Sequence, residues 1–300
     1  MDINIVIMSA NNEIAIQNTE GQRNTFIKGL FETERRHNYK VFFYSGGAEK
    51  KTEECKLAEN IYEIKCISKD DVYHTFEKTC EAYDYILNHY HSDMTVRANI
   101  SCYINIDLLD YIIQDIYDSE YIIANRINTI ITIGNFMNKL YPRGDFYILK
   151  TSMIEKSLQY KDSIFEMHNL EIDSVDDTKF GMCLAKGVDS YVDKLHCCKY
   201  GFVPFSDFSS VNANVLDVRV KTCNPEAGAS GYSWNDNDFR VHDIEKMNVL
   251  HKAFSGITSK FYMENKYTLN DILIDDSEVK RCLYVSPMYM TLDQIKNAQK

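Results

Sequence analysis

Proline and glycine are scarce, with 4 and 12 in 300 residues. That excludes a collagen-like chain and a Pro/Gly-rich disordered one. Tryptophan occurs once, at Trp234. Positive charge is in deficit: Lys+Arg is 33 against Asp+Glu 44, for a net charge of −11. An acidic chain repels a phosphate backbone, which excludes broad nucleic-acid binding but leaves room for a local basic pocket holding one small phosphate ligand. No apolar run approaches the ~20 residues of a membrane-spanning helix. The apolar opening at 3–8 is too short for a signal core and has no basic flank. Nine cysteines, at 55, 66, 80, 102, 183, 197, 198, 223 and 282, include no CxxC pair. Their odd number and the adjacency of Cys197 and Cys198 suit neither a zinc knuckle nor a disulfide framework. They predict reduced thiols and a cytoplasmic compartment. Internal repeats, low-complexity tracts and strong linkers are also missing.

What remains is a globular composition, 45% hydrophobic and 26% charged. A β-branched run at 3–8 ends in Ser9, Ala10, Asn11 and Asn12, which predicts a buried strand and a polar turn. Residues 20–37 are expected to be helical. Residues 41–44 form a second strand, closed by Ser45, Gly46 and Gly47, and 61–67 a third. Ser68 or Asp70 then caps a helix over 72–91, which carries Phe76, Cys80, Tyr83 and Leu87 at three- and four-residue steps. Strand-like segments follow at 94–106, 128–133 and 146–149, and helices from 108, over 152–158, after the acidic cluster 173–177 and over 242–256. Strands alternating with helices predict an α/β fold with an open, mostly parallel sheet flanked by helices. Ligands of such sheets sit beyond the carboxyl ends of the strands, which directs attention to residues 9–12, 45–47 and 99–101.

Several residues there could carry chemistry. The Ser45-Gly46-Gly47 turn allows close backbone approach to a phosphate, although a tight strand-to-helix connection has the same composition. Asp70 and Asp71, at a helix start, read as caps before they read as polar lining, although Lys78, one or two turns in, can reach a phosphate. In 97–105 (RANISCYIN), Arg97, Asn99 and Ser101 interrupt an apolar strand, and buried polar groups need partners. Asp173, Asp176 and Asp177 are general-base candidates, or solvated caps. His196, next to Cys197, is a metal ligand only if other donors converge on it.

The order of these segments resembles the beta-1,3-galactosyltransferase/fringe superfamily of GT-A glycosyltransferases, over residues 3 to about 200. Residues 41–47 (VFFYSGG) resemble its second strand and glycine turn, and 71–79 (DVYHTFEKT) its D-x-Y…K-T segment. Residues 97–105 stand where the family has an aspartate triplet, 141–150 (YPRGDFYILK) resemble its Y-P…G-x-G-Y segment, and 175–181 (VDDTKFG) its E-D-V-x-x-G segment. The resemblance implies a GT-A catalytic core over 1–200, with a nucleotide-sugar half at about 1–107 and an acceptor half at 108–200. Residues 201–300 then form a loop-rich extension ending in a docking tail, which could pair two copies. The partners it implies are a nucleotide-sugar donor, UDP-linked by family habit, and a glycan acceptor of a bacterial surface polysaccharide or a viral glycan.

The implied reaction is an inverting single displacement. Ser9, Asn11, Ser45, Gly46 and Gly47 would meet base and ribose, with Asp71 and Lys78 on the nucleotide side and Asn99 and Ser101 at the diphosphate. Asp177, or Asp176 in the other register, would be the base. Asp145, Tyr232, Trp234 and Arg240 would line the acceptor side, the last three in or after the glycine-containing loop 224–238. Where the family's aspartates chelate Mn2+ or Mg2+, this chain has Asn99, Ile100 and Ser101. Either a divalent cation is held by fewer ligands, Ser101 and His196 among them, or Arg97, Lys78 or another cation neutralises the leaving group. The alternative is a non-catalytic sugar- or nucleotide-binding relative.

Overall fold

The computed structural model describes residues 1–71, 74–130, 139–165, 176–203, 208, 211–222 and 237–274. Its strands are β1 (Asp2–Met8), β2 (Asn38–Ser45), β3 (Glu53–Ala58), β4 (Ile61–Lys65), β5 (Met94–Asn99), β6 (Cys102–Ile104), β7 (Ile122–Ala124), β8 (Ile127–Ile130), β9 (Lys139–Pro142), β10 (Phe146–Lys150), β11 (Leu195–Cys197), β12 (Tyr200–Phe202) and β13 (Asp217–Arg219). The helices are α1 (Glu13–Gln22), α2 (Lys28–Glu32), α3 (Thr75–His89), α4 (Ile106–Ser119), α5 (Thr151–Leu158), α6 (Lys161–Phe165), α7 (Asp176–Gly187), α8 (Tyr191–Lys194), α9 (Asp243–Phe254), α10 (Ser259–Glu264) and α11 (Leu269–Ile272).

The main sheet has the order β11-β7-β10-β5-β1-β2-β4-β3. β1 pairs in parallel with β2 and β5, β2 with β4, and β7 with β11. Only β10 and β3 run against their neighbours. The sequence expectation of an open, mostly parallel α/β sheet flanked by helices is thus the architecture that forms. Side chains alternate across the sheet. Ile3, Ile5 and Ile7 of β1 join Val41, Phe43, Val96 and Ala98 in a layer covered by α1, α4 and α9. Val6, Phe42, Tyr44 and Tyr147 face the other layer, with buried residues of α3, α5 and α7. A three-stranded sheet, β12-β13-β6, abuts the end of β5. Through it Val215, Leu216, Val218 and Val220 share the first layer with β1 and α4, as do Met247, Tyr262 and Ile272. The seven cysteines among the described residues are thiols and form no disulfide.

Three local features differ from the sequence expectation. β3 was not foreseen. All but one of its side chains are exposed, so it has no apolar periodicity to read, and it is a charged edge that discourages pairing with another chain. The helical segment at 20–37 is interrupted: a π turn, Arg23–Ile27, separates α1 from α2, with buried Thr25 at φ −117°, ψ −108°. Neither Ser68 nor Asp70 caps α3. Ser68 Oγ donates to Glu81 Oε2 at 2.8 Å, and His74 is the N-cap, with no side-chain cap bond.

Candidate active site

From β1 the chain moves outward through β2 to β4, then crosses back to place β5 on the other flank of β1. The order reverses between β1 and β5, and an open sheet has its ligand crevice at such a reversal. Met8 at the end of β1 lies opposite both Tyr44 and Asn99. The turns after β1, β2 and β5 therefore meet there.

On one side Asp70 gathers the turns. Its Oδ1 accepts from Lys78 Nζ at 2.7 Å and from Gly46 N at 3.1 Å, and its Oδ2 accepts from Asn11 N. Lys78 Nζ also donates to Ser9 O (3.2 Å), Asn11 Nδ2 to Gly46 O (2.5 Å) and Ser45 Oγ to Asn11 Oδ1 (3.3 Å). Ser9, Asn11, Ser45, Gly46 and Lys78 are thereby brought into one polar lattice, and Gly47 N donates beside it to Ser68 O at 2.9 Å. Asp71 accepts from the backbone N (3.0 Å) and faces the Nδ1 (2.7 Å) of His74. The carboxylate that holds Lys78 is Asp70. Gly47 has φ +91°. A Cβ on Gly46 would overlap Ser68 O and stand 2.8 Å from Asp70 N. Gly46→Ala is therefore expected to push the 68–70 turn outward and cost about 1–3 kcal/mol of stability. Urea denaturation with an unchanged midpoint would refute this.

On the other side stand Asn99, Ser101 and Arg240. Asn99 Oδ1 accepts from Ser101 N (3.1 Å), and Ser101 Oγ accepts from Arg240 Nη2 (2.6 Å). Arg240 Nε donates to Asp243 Oδ2 at 2.6 Å. Asp243 has 0% exposure and also accepts from Asn18 Nδ2 (2.9 Å), Thr222 N (2.7 Å) and Thr222 Oγ1 (2.8 Å). Gln22, one turn beyond Asn18 on α1, donates to Asn99 O (3.1 Å) and Cys102 O (2.8 Å). α1 thus buries amide side chains where a helix usually buries apolar ones, and these fix the turn after β5.

Two residues expected at the site, Arg97 and Asp145, are buried in polar networks. Arg97 alternates with Val96 and Ala98, so it points into the opposite layer and has no exposed surface. Its Nη1 donates to Ala98 O (3.0 Å) and Gly144 O (2.6 Å), and its guanidinium lies 5.7 Å from the Tyr44 ring centre. It ties the 143–145 turn to β5, away from the diphosphate position expected of it. Asp145, also buried, pairs with Arg219 and with Arg143 Nε at 3.1 Å, while its carbonyl accepts from Asn99 N at 3.0 Å. It braces the crevice from beneath.

Asp176 and Asp177 form the first turn of α7. A Cβ on Gly181 would overlap Tyr141, so the glycine lets α7 press against β9. Two motifs far apart in sequence, YPRGD and VDDTKFG, are joined by that contact. Lys179 Nζ lies 5.7 Å from the ring centre of Phe76, in the first turn of α3, and Phe180 lies 5.3 Å from Tyr83. The start of α7 therefore stands beside the start of α3, at the crevice end of the sheet. Tyr232 and Trp234 lie outside the described residues.

Sequence reasoning missed Asp217, on β13 beneath the site. Burial pushes its carboxyl up to about 7 from 3.8, against the opposing effects of a hydrogen bond from Asn125, one from Cys102, and the charge of Arg126. The folded value lies above the unfolded one, so the native state keeps a proton that the unfolded chain has released. The associated stability is full below about pH 4 and is lost as pH rises to about 7. Asp217→Asn is expected to flatten that part of the pH–stability curve, read from urea midpoints. An unchanged slope would exclude the assignment.

The donors at the expected metal position do not fit a hard dication. Asn99 and Ser101 offer neutral oxygens where Mg2+ or Mn2+ prefers carboxylates, and Ser101 Oγ already faces the Arg240 guanidinium, which would repel a cation. His196 does not converge on them. It lies on edge strand β11, three strands from β5 and so about 14 Å away at ~4.8 Å per strand, where its ring packs on Tyr121 with centroids 3.9 Å apart. No group of three or more His, Cys, Asp or Glu that could hold a metal occurs among the described residues. No described helix is long and apolar enough to cross a membrane.

No family model matches the sequence. No curated protein matches it either. Among solved structures, the chain is similar to a glycosyltransferase involved in the glycosylation of the major capsid of PBCV-1, with TM-score 0.45 and 9% identity over 83% of this chain and 100% of that one. It is also similar to the galactosyltransferase LgtC in complex with donor and acceptor sugar analogues, with TM-score 0.39 and 12% identity over 83% and 95% of the two chains. Likeness to the glycosyltransferase GlyE of Streptococcus pneumoniae TIGR4 has TM-score 0.34 and 12% identity, over 64% of this chain and 44% of that one.

Proposed function

We propose that the chain is a glycosyltransferase that moves a sugar from a nucleotide-sugar donor, UDP-linked, to a hydroxyl of a surface polysaccharide or viral glycan, with inversion. The observation that carries this reading is the meeting at one strand reversal of the Asp70 lattice and the Asn99–Ser101–Arg240 turn, with α7, whose sequence opens on two aspartates, starting beside the start of α3. Nucleotide, phosphate and a proton acceptor need three such neighbouring sites. Ser9, Asn11 and the 45–47 turn meet base and ribose, with Lys78 held beside them by Asp70. The acceptor oxygen forms the new bond to the anomeric carbon. The nucleoside diphosphate leaves with the electron pair of the old C–O bond, and the acceptor's proton passes to Asp177 or Asp176. Two adjacent carboxylates at a helix start favour this catalytic reading over a purely binding one, because binding alone requires no base.

A thermal-shift panel of UDP-, GDP- and dTDP-sugars tests the proposal. A ligand that binds only the folded state stabilises it by RT ln(1+[L]/Kd), so one donor should stand out. Donor binding followed by acceptor-dependent release of nucleotide supports the transferase. Binding without turnover on a broad glycan panel supports the non-catalytic relative, and no shift with any donor overturns both.

A further inference from the structure

We infer that Arg240 is the cationic clamp for the donor's diphosphate, occupying the place where a divalent cation would otherwise act. The inference rests on the transferase reading and deepens it.

Three observations converge on this arginine. First, Arg240 meets the Ser101 hydroxyl at 2.6 Å, at the carboxyl end of β5 beside the sheet reversal. That is where a phosphate of a ligand lying across the crevice would come to rest. Second, the arginine is built in. Fully buried Asp243 takes its Nε at 2.6 Å, and Asn18 and Thr222 hold that carboxylate from α1 and from the strand-end segment. One edge of the guanidinium is used for positioning. Of its five N–H bonds, two have the partners just given, and the other three take no acceptor among the described residues. Its side chain is 13% exposed, enough for a ligand oxygen to reach it. Third, neutral Asn99 and Ser101 add hydrogen-bonding groups without the negative charge that would oppose a diphosphate. A planar, permanently charged fork suits phosphate oxygens. As the donor's C–O bond breaks, negative charge grows on the departing diphosphate, and a preorganised cation stabilises that state most.

The test uses titration calorimetry of the full chain with UDP, uridine and inorganic pyrophosphate, each in EDTA and in Mn2+. The wild type should bind UDP equally well in both. Arg240→Ala should weaken UDP and pyrophosphate by about tenfold to a hundredfold, the range for a hydrogen bond to a charged group, and leave uridine unchanged. Ser101→Asp, which keeps the arginine but pairs it with a carboxylate, should lower pyrophosphate affinity in EDTA in the same way. It serves if the alanine variant fails to fold. UDP binding that requires Mn2+, or pyrophosphate affinity indifferent to both variants, overturns the inference while leaving the transferase reading standing. Arg240-dependent pyrophosphate binding with no nucleotide binding overturns the transferase reading and leaves the anion clamp. Absence of any pyrophosphate or UDP binding by the wild type overturns the clamp.

Discussion

Asp177→Asn is expected to cut turnover about 10²–10⁴-fold, the usual worth of a positioned general base, while leaving donor affinity nearly intact. The carboxamide is similar in size and can still take part in the first turn of α7, but it cannot accept the acceptor's proton. Asp176→Asn should be run beside it, because the adjacent position allows either register. Comparing kcat on a competent acceptor with donor Kd separates the outcomes. Loss with Asp177 alone assigns the base, and loss with Asp176 alone moves it by one residue. If both variants retain full turnover, the base does not lie in this turn.

Asp243→Ala should cost about 3–5 kcal/mol of stability, the range for removing one partner of a buried ion pair. The carboxylate accepts three hydrogen bonds from Asn18 and Thr222 in addition to the pair with Arg240. The alanine strands a buried backbone N–H at Thr222 as well as a guanidinium. Asp243→Asn, which keeps an oxygen for some of these donors, should fall between. Urea denaturation gives the energies. In the same samples pyrophosphate affinity should fall although Arg240 is still present, because nothing then aims it. A loss below about 1 kcal/mol would mean that the network does not hold the arginine.

The central strands were readable because they are buried on both faces: β1 and β2 carry the apolar runs 5–8 and 41–44, and β5 is buried along all but its last residue although polar side chains interrupt it. The direction of β10 was not readable, since pairing sense is not encoded in the apolar pattern of one strand. Asp70 and Asp71 look alike in sequence. Only the close approach of Gly46 to residues 68–70 decides which one faces Lys78. Arg97 looked like a ligand group because it interrupts an apolar strand, yet the alternation of β5 turns it into the far layer. Arg240 was read from the sequence as part of the acceptor side, after the glycine-containing loop. Its meeting with Ser101 spans 139 positions of sequence, and no local pattern announces so distant a contact. Gly181 was read as part of a motif, and its close fit against Tyr141 supplies the physical reason for a glycine there.

The reversed strand β10 also governs how the chain can assemble. It is the sole link in the main sheet between β7 with β11 and the five strands from β5 to β3. Until Phe146–Lys150 has emerged during synthesis, β5 and β7 both present open hydrogen-bonding edges with buried-type side chains. Such edges recruit other chains. Nascent or truncated forms ending before residue 146 should therefore be the aggregation-prone species, and closure of this seam the step that commits the molecule to its closed sheet.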